Sequence, residues 1–590
     1  MARVPKRRNS ANSASRKGAR KVSAPQLALT AAPNKRLAIT VAGAVSLGSY
    51  EAGALYEIIN AVGQHNADPG VELSERIKID VITGASAGGM TAGIATQKLL
   101  FEAGSLADAY NNSLYRPWVR DVSIQGLLSL QAGESTTHSI LSSNLVEAIS
   151  RKHFTDRYAT PQVPLVRVRH AAAAEMISLG LALSNLNGVD YTRKMQPSGN
   201  FTYTRHQDEL THQFDSTKPD QFDNVDIWEV IRRACVSCGA FPFAFRCKDL
   251  TRHKQEYEQE FLDPAMFPAD TRVFTYTDGG VFQNEPLGMA KNLIDDLHEH
   301  ERNESRFYLF VCPGSRGSTL NSKFNESNAA LGATLGQLLK AMMGQAQFHD
   351  WIVAEKVNDK IELLNDRARG LQRALAKNQR EQGFVDFQAL APASNALLPI
   401  LFPDGKSAIG ESLSNAQARL RSQFAPEYNN LVQAKSRATA DAWIDAVLAF
   451  ETAADLGEKD EMVIYGITAS DSELAGADVH AFEGFCDIAF RDHDYDIGRT
   501  KAQAFIDDLN AKGSGLAPIR YTQRPGIRPI NHHLDGLKID SVDYNLRAQI
   551  ASRLRECAHN LMADMNVNFV ERQIIDAAVV TPQIKKFLKL

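Results

Sequence analysis

A serine stands at the centre of Gly84-Ala-Ser-Ala-Gly88, between the apolar run Ile77-Lys-Ile-Asp-Val-Ile and a stretch of small residues carrying Ala92, Ala95 and Leu99. Strand, then G-x-S-x-G, then helix is the order of a sharp turn that lifts a hydroxyl over a helix N-terminus, and it nominates Ser86 as a nucleophile. Gly84 and Gly88 let the backbone reverse without Cβ clashes. The free amides and positive dipole end of the helix favour a developing oxyanion there. A Gly-rich turn that only packs tightly or holds a phosphate is the other reading of these five residues.

An activated serine needs a base and a set of oxyanion donors. Gly43-Ala-Val-Ser-Leu-Gly48 follows one apolar run and opens a helical pattern, so its amides are candidates to face an anionic oxygen beside Ser86. Asp278, in Tyr276-Thr-Asp-Gly-Gly, sits at the end of a strand pattern in a Gly-rich turn, where a carboxylate can be held still. Read alone, that turn is an ordinary structural one. Phe241, Phe243 and Phe245 alternate along a stretch that reads as extended, a candidate acyl-chain wall or a buried packing edge. Cys235-Val-Ser-Cys238 has no second pair to complete a zinc site. His493, flanked by Asp492 and Asp494, reads as part of a structural charge network rather than a ligand set. No metal and no cofactor is expected.

These residues need a frame to hold them. At 590 residues the chain exceeds one ordinary core, and 44% hydrophobic with 23% charged residues is the composition of a folded globular protein. Leu37-Ala-Ile-Thr-Val-Ala reads as a buried strand, Gly48 to Val62 as a helix, and Ile77 to Ile82 as the next strand. Further strands are expected at Leu179 to Leu183, Val273 to Tyr276 and Phe307 to Val311. This alternation predicts an α/β domain with a mostly parallel sheet flanked by helices over 37–325. Residues 326–590 read as a mainly helical region packing on it, with Met462-Val-Ile-Tyr-Gly-Ile as a strand and 519–533 as a loop.

The first 36 residues carry ten Lys or Arg and no Asp or Glu, leaving 55 basic against 69 acidic residues beyond them. They lack apolar periodicity and read as a disordered basic tail, suited to anionic headgroups or simply solubilising. No secretory signal and no run of 18 apolar residues is present. Six scattered cysteines suit a reducing compartment. The expected location is therefore cytoplasmic, with at most peripheral membrane contact. Nucleic acid is not an expected partner, because no recognisable module follows the basic segment. Nothing in the chain indicates an oligomeric state.

The chain resembles a patatin-like phospholipase in four ordered blocks. These are Gly43-Ala-Val-Ser-Leu-Gly48 with Glu51-Ala-Gly-Ala-Leu55, Gly84-Ala-Ser-Ala-Gly88, Ala234-Cys-Val-Ser-Cys-Gly-Ala-Phe-Pro-Phe-Ala-Phe245, and Asp278-Gly-Gly280 followed by Asn284 and Pro286. Gly484-Phe-Cys-Asp-Ile-Ala-Phe-Arg-Asp-His-Asp-Tyr-Asp-Ile-Gly-Arg499 is similar to a C-terminal pattern of the longer bacterial members. The resemblance implies a lipid acyl hydrolase of the phospholipase A type, with Ser86 as nucleophile and Asp278 as base through an acyl-enzyme, and no histidine. It implies Gly43, Ala44, Val45 and Ala87 as oxyanion donors, and Gly279 and Gly280 as supports of Asp278. The family loop is richer in glycine and basic before its last glycine, where this chain has Ala44, Val45 and Leu47. The donors then serve if their backbone stays in the ordinary regions. An esterase of non-lipid substrates, and a catalytically weak scaffold, are the alternatives.

Overall fold

A computed structural model describes residues 35–159, 167–194, 199–258, 261–295, 305–314, 324–329, 349–376, 387–406, 411–454, 462–513 and 515–590, with Thr334, Gln337, Leu338 and Ala341. Nearly all of the basic segment lies outside these residues. The apolar runs become strands buried on both faces, as the middle of a parallel sheet requires. They are β1 (Lys35–Val41), β2 (Ile77–Gly84) and β7 (Arg306–Cys312), and Ile39, Val41, Ile79, Val81 and Val311 are fully buried. Between the first two runs α1 (Gly48–Ala67), and after the second α2 (Ser86–Phe101).

The eight-stranded sheet has the order β5 (Lys248–His253), β6 (Thr271–Asp278), β3 (Ala173–Lys194), β2, β1, β7 and β8 (Ile464–Thr468), with β4 (Asn200–Asp215) paired to β3. Its centre is parallel: β1 with β2 and β7, and β2 with β3 (Ala173–Lys194). The expected strand at 179–183 is only the middle of β3, a strand of 22 residues. The parallel register with β2 ends at Gly84 opposite Leu181, so β3 runs on past that edge. Antiparallel β4 follows β3 from Met176 to Lys194, while antiparallel β6 pairs with β3 only on the overhang, at Leu183 to Asn185, and in turn with β5.

The chain divides into two compact units, one of residues 1–350 with 464–590 and one of residues 351–463. The expected single region 326–590 is therefore split. The physical reason is β8 (Ile464–Thr468), whose backbone completes the sheet beside β7, so the chain that follows joins the α/β core. The second unit is helical among its described residues and has a core of its own around Trp443, Leu420 and Leu431.

Helix α1 crosses the later helix Ile488–Lys512 at backbone contact. A Cβ on Gly53 would stand 2.1 Å from the Tyr495 carbonyl oxygen, and one on Gly498 would stand 2.1 Å from that of Tyr50. At this crossing the fully buried Arg499 donates to Glu57 at 2.7 Å, and Tyr521 donates to the same carboxylate. Gly53→Ala is expected to force the helices apart and cost about 3 kcal/mol of unfolding free energy, read by chemical denaturation. A loss under about 0.5 kcal/mol would refute the close crossing.

Candidate active site

Three loops meet at the carboxyl edge of the sheet: the 43–47 loop after β1, the Gly84-Ser86 turn after β2, and Asp278 at the end of β6. Ser86 opens α2 with φ 50°, the left-handed backbone of a sharp strand-to-helix elbow. The flanking glycines are sterically required. A Cβ on Gly84 would lie 2.4 Å from the Gly88 carbonyl oxygen, and one on Gly88 would lie 2.2 Å from that of Ala42.

Asp278 reaches this edge because β6 runs down the β3 overhang and pairs with it until Leu183, two residues past the level of Gly84. There Ser86 Oγ donates to Asp278 Oδ2 at 2.5 Å. The amide of Gly280 donates to Oδ1 at 2.7 Å and fixes the carboxylate's rotation. Gly279 lies so close to β3 that a Cβ would be 2.0 Å from the Ala182 carbonyl oxygen. Burial pushes the Asp278 carboxyl up to about 7, against the lowering effect of its bonds from Ser86 and Gly280. A buried carboxyl poised near neutrality can take a proton and return it. The described residues include no histidine bonded to Ser86 or Asp278.

The 43–47 loop departs from expectation in two ways. The Gly43 amide is already used, donating to the Asn284 carbonyl at 3.0 Å, whereas the amides of Ala44, Val45 and Ala87 find no acceptor among the described residues. Gly43 serves as a close-packing point instead, since a Cβ there would be 2.2 Å from Asn284 Oδ1 and 3.1 Å from the Ser86 Cβ. Val45 does not keep ordinary backbone angles; its φ is 53°. A β-branched residue pays for that conformation by about 1–2 kcal/mol, so Val45→Gly is expected to raise unfolding free energy by about 1 kcal/mol in chemical denaturation. Leu47, in the position where the family has a base, is buried.

Behind Ser86 opens an apolar cavity of about 790 Å³ including its mouth, lined by Ser86, Met90, Trp118, Phe241, Phe245 and Phe485 among others. Phe243 does not join it. The 241–245 segment is a turn rather than extended chain, closed by the Phe245 amide donating to the Phe241 carbonyl at 3.0 Å, and Phe243 takes φ 68° and stays 68% exposed. Residues four apart share a side of such a turn, and the one between them faces away. Cys235 and Cys238 are free, buried thiols on the helix Val225–Cys238; a Cβ on Gly93 or Gly89 of α2 would lie 2.4 Å from their respective sulfurs, so the spacing serves helix packing. His493 Nε2 contacts the Glu473 carbonyl at 3.0 Å and Asp535 at 3.3 Å.

Sequence reasoning missed Trp118 and Phe485 as lining residues, and had Asn284 only as part of a motif. Nothing in the local pattern of either aromatic marks it out. Gly48 is the one hint for Trp118, because a Cβ there would press 2.8 Å from its ring.

A mostly parallel sheet flanked by helices, with a hydrogen-bonded serine and aspartate at its carboxyl edge, places the protein in the α/β class. Residues 39–291 match the family described as Patatin-like phospholipase. The chain is also 24% identical over 361 residues to "Uncharacterized protein y4iI" of Sinorhizobium fredii (strain NBRC 101917 / NGR234), an alignment covering 48% of this chain and 50% of that one. The chain thus spans about half the length of this curated relative. VipD from Legionella pneumophila, a crystal structure, aligns over 94% of this chain and 90% of that one at 11% identity with a TM-score of 0.21, too low to carry an argument. No helix among the described residues is long and apolar enough to cross a membrane.

Proposed function

We propose that the protein is a lipid acyl hydrolase that cleaves carboxylic esters of phospholipids or related lipids through Ser86 and Asp278. The observation that carries this reading is the 2.5 Å hydrogen bond from Ser86 Oγ to a buried Asp278 whose carboxyl is held near neutrality. Ser86 Oγ attacks the ester carbonyl carbon while its proton passes to Asp278 Oδ2, and the carbonyl π pair becomes an oxyanion facing the amides of Ala44, Val45 and Ala87. Collapse breaks the ester C–O bond; the departing alkoxide takes the proton from Asp278 and leaves as an alcohol. Asp278 then accepts a proton from water, the hydroxide adds to the acyl-serine, and return of that proton to Ser86 Oγ frees the carboxylic acid.

The apolar cavity favours a long acyl chain over a short, water-soluble ester, since each buried methylene contributes about 0.8 kcal/mol. The test is mass spectrometry of products from a mixed lipid extract, beside labelling with a fluorophosphonate probe. Free fatty acid with the matching lysolipid, and a probe adduct on Ser86, are expected. An unlabelled serine and an unchanged extract would instead favour a binding protein that has lost turnover.

A further inference from the structure

The segment from Ala481 to Arg491 lies almost 200 residues past the end of the matched domain, yet it packs on both halves of the site. Phe485, 5% exposed, lines the apolar cavity that Ser86 opens into. Its neighbour Phe482 meets Phe241, another lining residue, edge-on with ring centres 5.3 Å apart, and meets Phe485 at 6.0 Å. The same turn touches the 43–47 loop: Ser46 Oγ donates to the Ala481 carbonyl, and a Cβ on Gly484 would stand 2.4 Å from that hydroxyl oxygen.

The turn is held in place. Arg491, 3% exposed, donates to the carbonyls of Gly484, Phe485 and Asp487 at 3.0 Å each and to that of Val119 at 3.3 Å. Val119 follows Trp118, itself on the cavity wall. A guanidinium bridging four carbonyls ties this turn to the chain beside Trp118, another lining residue, which fits a wall of fixed position rather than a passing loop.

We propose that the 481–487 turn is a wall of the acyl pocket and that Phe485 is a specificity-determining residue setting the length of acyl chain accepted. The proposal rests on the hydrolase reading. It would extend the working site beyond the matched domain and give a task to the Gly484–Arg499 motif.

The experiment compares kcat/KM for hexadecanoyl and butanoyl esters in the parent, Phe485→Ala and Phe485→Trp. The ratio of long to short is expected to rise about tenfold with alanine and fall about tenfold with tryptophan. The ratio is independent of the fraction of protein that folds, so a destabilised variant still reports. Phe243→Ala, exposed and outside the cavity, is expected to leave the ratio unchanged. Displacement of a fluorescent fatty acid by hexadecanoate on the same variants reads the pocket without turnover. Ester turnover with a ratio constant within about twofold in both Phe485 variants overturns the inference alone. A parent that hydrolyses no ester and binds no acyl chain overturns the hydrolase reading and this inference together.

Discussion

Ser86→Ala is expected to reduce kcat/KM for lipid esters at least about 10⁴-fold and to abolish fluorophosphonate labelling, with the fold intact by circular dichroism. The reasoning is geometric. The hydroxyl sits on a turn whose φ of 50° aims it at Asp278, and the carboxylate it bonds is buried with its second oxygen held by Gly280. Asp278→Asn removes the proton acceptor while leaving the shape, so a loss of similar size is expected. The double variant should be no slower than either single one, because the two groups act on one proton. Losses that instead multiplied, or a variant within tenfold of the parent, would break the pairing of Ser86 with Asp278.

The pH dependence has the next largest effect. With the Asp278 carboxyl near 7, kcat/KM is expected to fall about tenfold per pH unit below that value and to level off above it. The same burial acts on stability. Asp278 ionises at about 3.9 in the unfolded chain and about 7 in the folded one, so folding favours its protonated form. Its contribution to stability is fully present below pH of about 4 and is lost as pH rises through about 7. At higher pH the buried carboxylate costs about 4 kcal/mol relative to a neutral group. Asp278→Asn should therefore match the parent's melting temperature at pH of about 4, exceed it increasingly up to about 7, and keep a constant lead above. A variant that melts below the parent in alkaline buffer would contradict this, and one with a pH-independent lead would place the cause outside Asp278.

How far these residues could be read from the chain differs by kind. Ser86 was legible because the elbow is a local object: a strand, two glycines forced by close contacts with Gly88 and Ala42, and a helix all lie within 25 residues. The strands at the sheet's centre were legible for a similar reason, since burial on both faces leaves an unbroken apolar run. β4 was not found, because it carries polar residues through much of its length and takes its structure from pairing with β3. Phe243 was misplaced because alternation of three aromatics describes an extended chain equally well on paper, and the turn that turns it outward is closed by backbone hydrogen bonds.

Residue types and short-range spacing were enough to nominate Ser86 and to read the glycine-lined turns and the alternating α/β order, all of which follow from steric limits on a few consecutive residues. The meeting of Asp278 with Ser86 depends on how far β3 outruns its neighbour before β6 descends along it, a matter of register across 192 positions. The conformation of Val45, the withdrawal of the Gly43 amide, and the arrival of Phe485 from beyond β8 are likewise set by contacts between segments remote in the chain. Such contacts leave no periodic mark, because each needs only one residue of the right size at the right place.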